Sequence, residues 1–165
     1  VEDLAIELSS EAQQLGMILE QKGLTVSFAE SCTGGLVCKA MTDRAGASNY
    51  FKGGIVAYSN EIKNQVLGVS EFILNTKGAV SSETAEAMVT GLTPIFKTEV
   101  SGSITGIAGP DGGTDEKPVG TVWFSLRVFD EKITEKVLFD GDRDKIRLKS
   151  AIHIIKMIIE KITEA

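Results

Sequence analysis

A serine at position 31, a lysine at 63 and the hydroxyls of Tyr58 and Thr105 are the side chains best suited to bond-making chemistry in this sequence. Ser31 stands where an apolar-rich run, residues 24–30, gives way to Cys32-Thr33-Gly34-Gly35, small residues that open a helix. A side chain at the end of a strand is held by the sheet yet faces the crevice beyond it, and the N–H groups that follow receive negative charge. The position suits a nucleophile or an anion clamp. A serine nucleophile needs a base, most often histidine, but the one histidine, His153, lies inside an amphipathic C-terminal helix. A Ser-His-Asp triad is therefore not expected. Neither is a metal site, because paired histidines and suitably spaced cysteines are both missing.

Lysine is the next candidate base, provided that burial lowers its ordinary pKa of ~10.4 by a few units. Lys63 falls in the first turn or so after Ser59-Asn60, two good helix N-caps, where the positive end of the helix dipole opposes a cation. The alternative is a solvated lysine on a short helix. Tyr58 either holds a proton beside that cap or packs in a strand with its hydroxyl satisfied. Thr105 leads into the glycine-rich segment 106–113, which includes Gly106 and Gly109 and looks like a phosphate cradle without the Gly-Lys-Ser/Thr ending of a P-loop. Arg143 and Arg147, four residues apart, suit a ligand carboxylate or phosphate, or else pair with the neighbouring aspartates.

Apolar positions at helical spacing predict a first helix over 3–22, stopped by Lys22-Gly23 and followed by the strand that ends on Ser31. A helix over 36–41, a loop over 43–48, a strand over 54–58 and a short helix over 61–67 come next. Residues 68–80 carry few periodic signals, and a helix then starts at Ser81-Ser82-Glu83-Thr84. Residues 100–107 read as a buried strand, 109–118 as the longest loop, 120–128 with 133–139 as an antiparallel pair, and 142–163 as the closing helix. Helices alternating with strands, then a late hairpin, predict a three-layer α/β/α sandwich around a mixed, mostly parallel sheet. Three strand ends with polar chemistry and glycines point to a crevice along one sheet edge.

Composition bounds the partners. At 165 residues with 42% hydrophobic side chains, one domain spanning 1–165 is the expectation. Asp and Glu outnumber Lys and Arg, 23 to 17, for a formal charge of -6, so nucleic acid is not an expected partner and an anionic ligand needs a local pocket. Two cysteines, Cys32 and Cys38, form no disulfide framework, and no run approaches the ~20 apolar residues of a membrane span. The expected setting is a reducing cytoplasm, with no membrane association.

The segments Ala29-Glu-Ser-Cys-Thr-Gly-Gly35, Tyr58-Ser-Asn-Glu-Ile-Lys63, Gly78-Ala-Val-Ser81, 106–113, Lys117-Pro-Val-Gly-Thr-Val-Trp123 and Gly141-Asp-Arg143 together resemble the CinA C-terminal domain family. The resemblance runs over nearly the whole chain. It implies hydrolysis of the carboxamide of nicotinamide mononucleotide to nicotinate mononucleotide and ammonia, with no metal or other cofactor, in an assembly that is often a homo-oligomer. Residue by residue, Ser31 resembles the family nucleophile, Lys63 its general base and Tyr58 a supporting hydroxyl, with Thr105 a hydroxyl of the pocket. In the mechanism expected from these residues, N–H groups of Thr33, Gly34 and Gly35 stabilise the oxyanion, and Gly106, Gly109 and Arg143 are the further candidates for holding substrate. Standalone domains and C-terminal halves of longer proteins share the resemblance, and a non-catalytic nucleotide-binding or regulatory module is the alternative. An oligomerisation domain is a third.

Overall fold

Strand β1, Val26–Glu30, is buried along its whole length, as a central strand with helices on both faces must be. It lies between β2 (Phe51–Val56) and β3 (Val100–Gly106) in the order β2-β1-β3-β4-β5, with β4 at Thr121–Val128 and β5 at Glu131–Leu138. This computed structural model describes residues 1–164. β1 pairs in parallel with β2 and β3, whereas β4 is antiparallel to both neighbours, so β4 alone runs against the other four strands. The expected mixed sheet, mostly parallel in strand direction, is what the chain forms.

Helices α1 (Glu2–Lys22), α2 (Leu36–Thr42) and α6 (Arg143–Ile162) cover one face. The other carries α5 (Ser82–Phe96) with the short helices α3 (Asn60–Gln65) and α4 (Glu71–Thr76). Alternation along β1 assigns its side chains: Val26 and Phe28 join the core under α1, α2 and α6, and Ala29 joins the core under α5. Glu30 therefore points into the first layer and Ser31 toward the second. The connections leaving β1 and β2 run over opposite faces, so the C-terminal ends of β1 and β3 flank a switch point, the usual place for a ligand crevice in such sheets. No helix among the described residues is long and apolar enough to cross a membrane.

Two elements differ from expectation. Residues 68–80 contain α4, whose N-cap Ser70 accepts a hydrogen bond from the Ile73 N–H at 3.1 Å; a six-residue helix is too short to display a period. Strand β2 begins and ends earlier than 54–58, because Gly53-Gly54 lies inside it. Those glycines mark close approach: a Cβ on Gly53 would stand 2.8 Å from the Phe96 ring, and one on Gly54 would meet the Cys38 sulfur. The loop expected over 43–48 also carries the start of a 3₁₀ turn, Ala47–Asn49.

Gly91 lets α5 rest on the main-chain carbonyl of Leu67, just beyond the helix that carries Lys63. In a solvated helix Gly→Ala gains ~1 kcal/mol, but here the new Cβ would collide with that carbonyl. Gly91→Ala is expected to destabilise the fold by about 1–3 kcal/mol, lowering Tm by roughly 2–4 °C per kcal/mol at this chain size. A thermal melt checks this, and a raised Tm would show that the two helices separate without cost.

Candidate active site

The sheet holds Ser31 to its main chain, since its N–H donates to the Ile104 carbonyl on β3 at 3.1 Å. Its hydroxyl meets Lys63, which is 1% exposed. Lys63 sits in α3, started by Ser59, whose side chain accepts from the Ile62 N–H. Helical side chains lean toward the helix N-terminus, and Lys63 does so: Nζ reaches back to the Tyr58 carbonyl at 3.0 Å and stands 3.0 Å from Ser31 Oγ. Burial pushes the Lys63 ammonium from its ordinary 10.5 down to about 8, against a smaller opposing effect of Cys32. A neutral amine here donates one N–H to the Tyr58 carbonyl and presents its lone pair to the Ser31 hydroxyl. Burial pushes the adjacent Cys32 thiol the other way, up to about 12, so it is not a thiolate near neutrality.

The start of α2 is not the anion site that the sequence suggests, because the fold supplies its own anion. The Glu30 side chain is fully buried, and its Oε1 accepts from Thr33 Oγ1 at 2.6 Å and from the N–H groups of Gly35 and Val37 at 3.1 Å each. Its Oε2 accepts from the Cys38 N–H at 2.9 Å. A carboxylate at a helix N-terminus is a favourable pairing, and here it consumes the Gly35 N–H and the Thr33 hydroxyl. The Gly34 N–H donates to the Ser31 carbonyl at 3.1 Å. Next to Ser31 this leaves the N–H groups of Cys32 and Thr33, which have no acceptor among the described residues.

On the outer side of this turn Arg147 donates from Nε to the Cys32 carbonyl at 3.0 Å and from Nη2 to the Thr33 carbonyl at 3.2 Å. Gly34, at φ 59°, leaves room for it: a Cβ there would lie 3.0 Å from Nη2. Arg147 is thus spent on main chain, while Arg143 faces the crevice. Arg143 is exposed at the start of α6, with Nη1 donating to the Gly109 carbonyl at 2.7 Å and Nη2 lying 3.4 Å from the Tyr58 hydroxyl.

A pocket of about 230 Å³ joins these groups, with Ser31, Lys63, Thr105, Ala79, Tyr58 and Arg143 in its wall. That is below the ~300–1,000 Å³ of sites that enclose drug-sized ligands, so it accepts one ring-sized group and leaves the rest of a larger ligand at the rim. Thr105 is buried and donates to the Ala79 carbonyl at 2.7 Å, fixing one wall. Tyr58 is 62% exposed; the supporting group it gives Lys63 is its carbonyl, and its hydroxyl belongs to the rim with Arg143. Gly106 and Gly109 leave room for protein: a Cβ on Gly106 would crowd the main chain of Thr121, and one on Gly109 the Val119 side chain. His153 is remote from the pocket, bonded to Glu135 at 2.7 Å and packed on Phe124.

The roles of Glu30 and Arg147 toward the Ser31 turn were not legible in the sequence. Glu30 acts through residues three to eight positions ahead, and Arg147 through a separation of more than a hundred residues. The only cue was a carboxyl group directly before the small-residue turn.

The family model described as the CinA C-terminal domain matches residues 8–162. Nicotinamide-nucleotide amidohydrolase PncC of Escherichia coli K12 is 45% identical over 153 residues, covering 92% of this chain and 93% of that protein. A CinA-like protein of Geotalea uraniireducens is 50% identical over 131 residues, 79% of this chain but 31% of the relative, so the chain spans about a third of such longer proteins. Among solved structures, competence/damage inducible protein CihA of Agrobacterium tumefaciens superposes with a TM-score of 0.91 at 36% identity, over 96% of each chain.

The buried lysine makes stability depend on pH. Its folded-state pKa of about 8 lies below the ordinary 10.5, so between those values the unfolded chain binds more protons and stability rises with pH. Below about pH 8 the cost of burying the cation is present in full. Lys63→Met is therefore expected to be more stable than the parent at pH 7, on the order of 1–2 kcal/mol after loss of its hydrogen bonds. The advantage should shrink steadily between about pH 8 and pH 10.5. Paired thermal melts across pH check this; an advantage independent of pH would mean that Lys63 binds its proton equally in the folded and unfolded chain, with its pKa not lowered by burial.

Proposed function

We propose, since this chain belongs to the CinA C-terminal domain family, that it hydrolyses the carboxamide of nicotinamide mononucleotide to nicotinate mononucleotide and ammonia. The observation that carries this reading is the buried Lys63 amine, 3.0 Å from Ser31 Oγ at the floor of a ring-sized pocket. The amidohydrolase name of relatives matched over more than nine-tenths of their length supports it.

Neutral Lys63 takes the Ser31 proton as Oγ attacks the amide carbon, and the N–H groups of Cys32 and Thr33 receive the oxyanion. The C–N bond then breaks as the Lys63 ammonium protonates the departing nitrogen, which leaves as ammonia. Water enters, gives a proton to Lys63 and attacks the acyl carbon; the Ser31–acyl bond breaks, and Ser31 recovers its proton from Lys63. The Tyr58 carbonyl keeps the amine aimed at Ser31 throughout. The pyridine ring occupies the pocket, and ribose and phosphate lie over the rim, where Arg143 reads the phosphate.

Ammonia release from nicotinamide mononucleotide tests the reading directly, and a chelator should leave the rate unchanged. Binding without release would favour a nucleotide-binding module. Ser31→Ala should lose on the order of a thousandfold or more in kcat. Lys63→Arg should be nearly as damaging as Lys63→Ala, because arginine keeps the charge and cannot deprotonate. The wild-type kcat/KM should rise with pH as Lys63 loses its proton and level off above about 8. A Lys63→Arg protein with most of its activity would make Lys63 an electrostatic anchor instead of a base.

Because Arg143 is exposed, solvent screens its pairing with phosphate. Arg143→Ala is expected to raise KM by about three- to tenfold with little change in kcat. Nicotinamide riboside, which lacks the phosphate, is the control: its KM should hardly move. Equal losses on both substrates would show that Arg143 acts through its bond to Gly109.

A further inference from the structure

The guanidinium of Arg147 grips two consecutive carbonyls, Cys32 and Thr33, in the turn that follows Ser31. A trans peptide is planar, so its C=O and N–H point in opposite directions. Drawing the Cys32 carbonyl toward α6 turns the Thr33 N–H away from α6, which covers the face of β1 opposite to Ser31. That N–H has no acceptor among the described residues, whereas the N–H groups of Gly34, Gly35, Val37 and Cys38 are all taken. Donation to a peptide oxygen also polarises the N–H of the same peptide.

We infer that Arg147 is a positioning residue: it sets the plane of the Cys32–Thr33 peptide so that the Thr33 N–H meets the oxyanion formed on Ser31. The inference rests on Ser31 being the nucleophile, as in the proposed function. Lysine at this position keeps the charge but offers a point donor that cannot hold both carbonyls as the planar fork does. Loss of the fork leaves the pocket wall in place and frees the peptide to rotate, so the transition state suffers and substrate binding does not.

The test measures Arg147→Lys and Arg147→Ala beside the wild type on nicotinamide mononucleotide. The expected result is a fall in kcat of about 10- to 100-fold with KM within about threefold, the size of effect seen when one oxyanion donor is weakened. Millimolar guanidinium should restore part of the kcat of Arg147→Ala, which a general loss of stability would not allow. Wild-type kcat in Arg147→Lys, an effect confined to KM, or no response to guanidinium would overturn the inference.

Phosphonylation of Ser31 by a fluorophosphonate gives a second reading that does not depend on the amide substrate. If the wild type releases no ammonia, the proposed activity falls and the inference is judged on this rate alone. Arg147→Lys should react at least about tenfold more slowly; equal rates, or no labelling of wild-type Ser31, would overturn it. Should both variants fail to fold, NMR of the wild type decides. The Thr33 amide proton should move downfield on phosphonylation, and an unmoved Thr33 resonance would overturn the inference.

Discussion

The two-residue period of β1 sets everything else in the site. It sends Glu30 into one helix layer and Ser31 toward the other, so adjacent residues do opposite kinds of work. The Glu30 carboxylate ties the strand end to the start of α2 by four hydrogen bonds in a place closed to water. Buried polar groups of this kind rigidify when fully satisfied. The rigidity passes directly to the next residue, whose hydroxyl faces the lysine. A one-residue slip of this strand would exchange the two faces and bring the carboxylate to the amine.

Lys63 makes the opposite use of burial. Glu30 is enclosed with both carboxylate oxygens accepting hydrogen bonds, whereas the amine is enclosed with one carbonyl and one hydroxyl and no carboxylate hydrogen-bonded to it. An acidic partner would have steadied the ammonium and raised its pKa. Leaving the site without one trades stability for a base able to work near neutrality. The net negative charge of the chain does not undo this, because Lys63 is almost fully buried and burial outweighs the opposing effect of Cys32 on it.

Ser31 and Lys63 were legible in the sequence because each stands at a boundary with its own chemical signature, a strand running into glycines and a Ser-Asn helix cap. The alternation of helices and strands likewise gave the layers and the late hairpin. What the sequence could not show was how hydroxyls and N–H groups are shared out. Tyr58 reads as a phenol in one dimension, yet its carbonyl is the group that meets the amine, since backbone roles leave no mark on side-chain identity. The N–H groups at the start of α2 looked free because the acceptor that takes them belongs to the preceding strand. Helix α4 and the early start of β2 escaped for a simpler reason: six residues are too few for a period, and paired glycines inside a strand look like its end.

The reversal of β4 has a consequence for how such a site diversifies. Chain leaving β3 returns beside it, so the segment between Gly106 and Thr121 is a loop pinned at both ends to neighbouring strands. Residues of that loop and the head of α6 join Tyr58 in lining the mouth of the pocket, while the reacting pair on its floor comes from the first 63 residues. The reacting pair and much of the rim are therefore inherited from separate stretches of one polypeptide. Insertions or substitutions in the loop after Gly106 can retune which molecule is admitted, while the reacting pair underneath stays as it is.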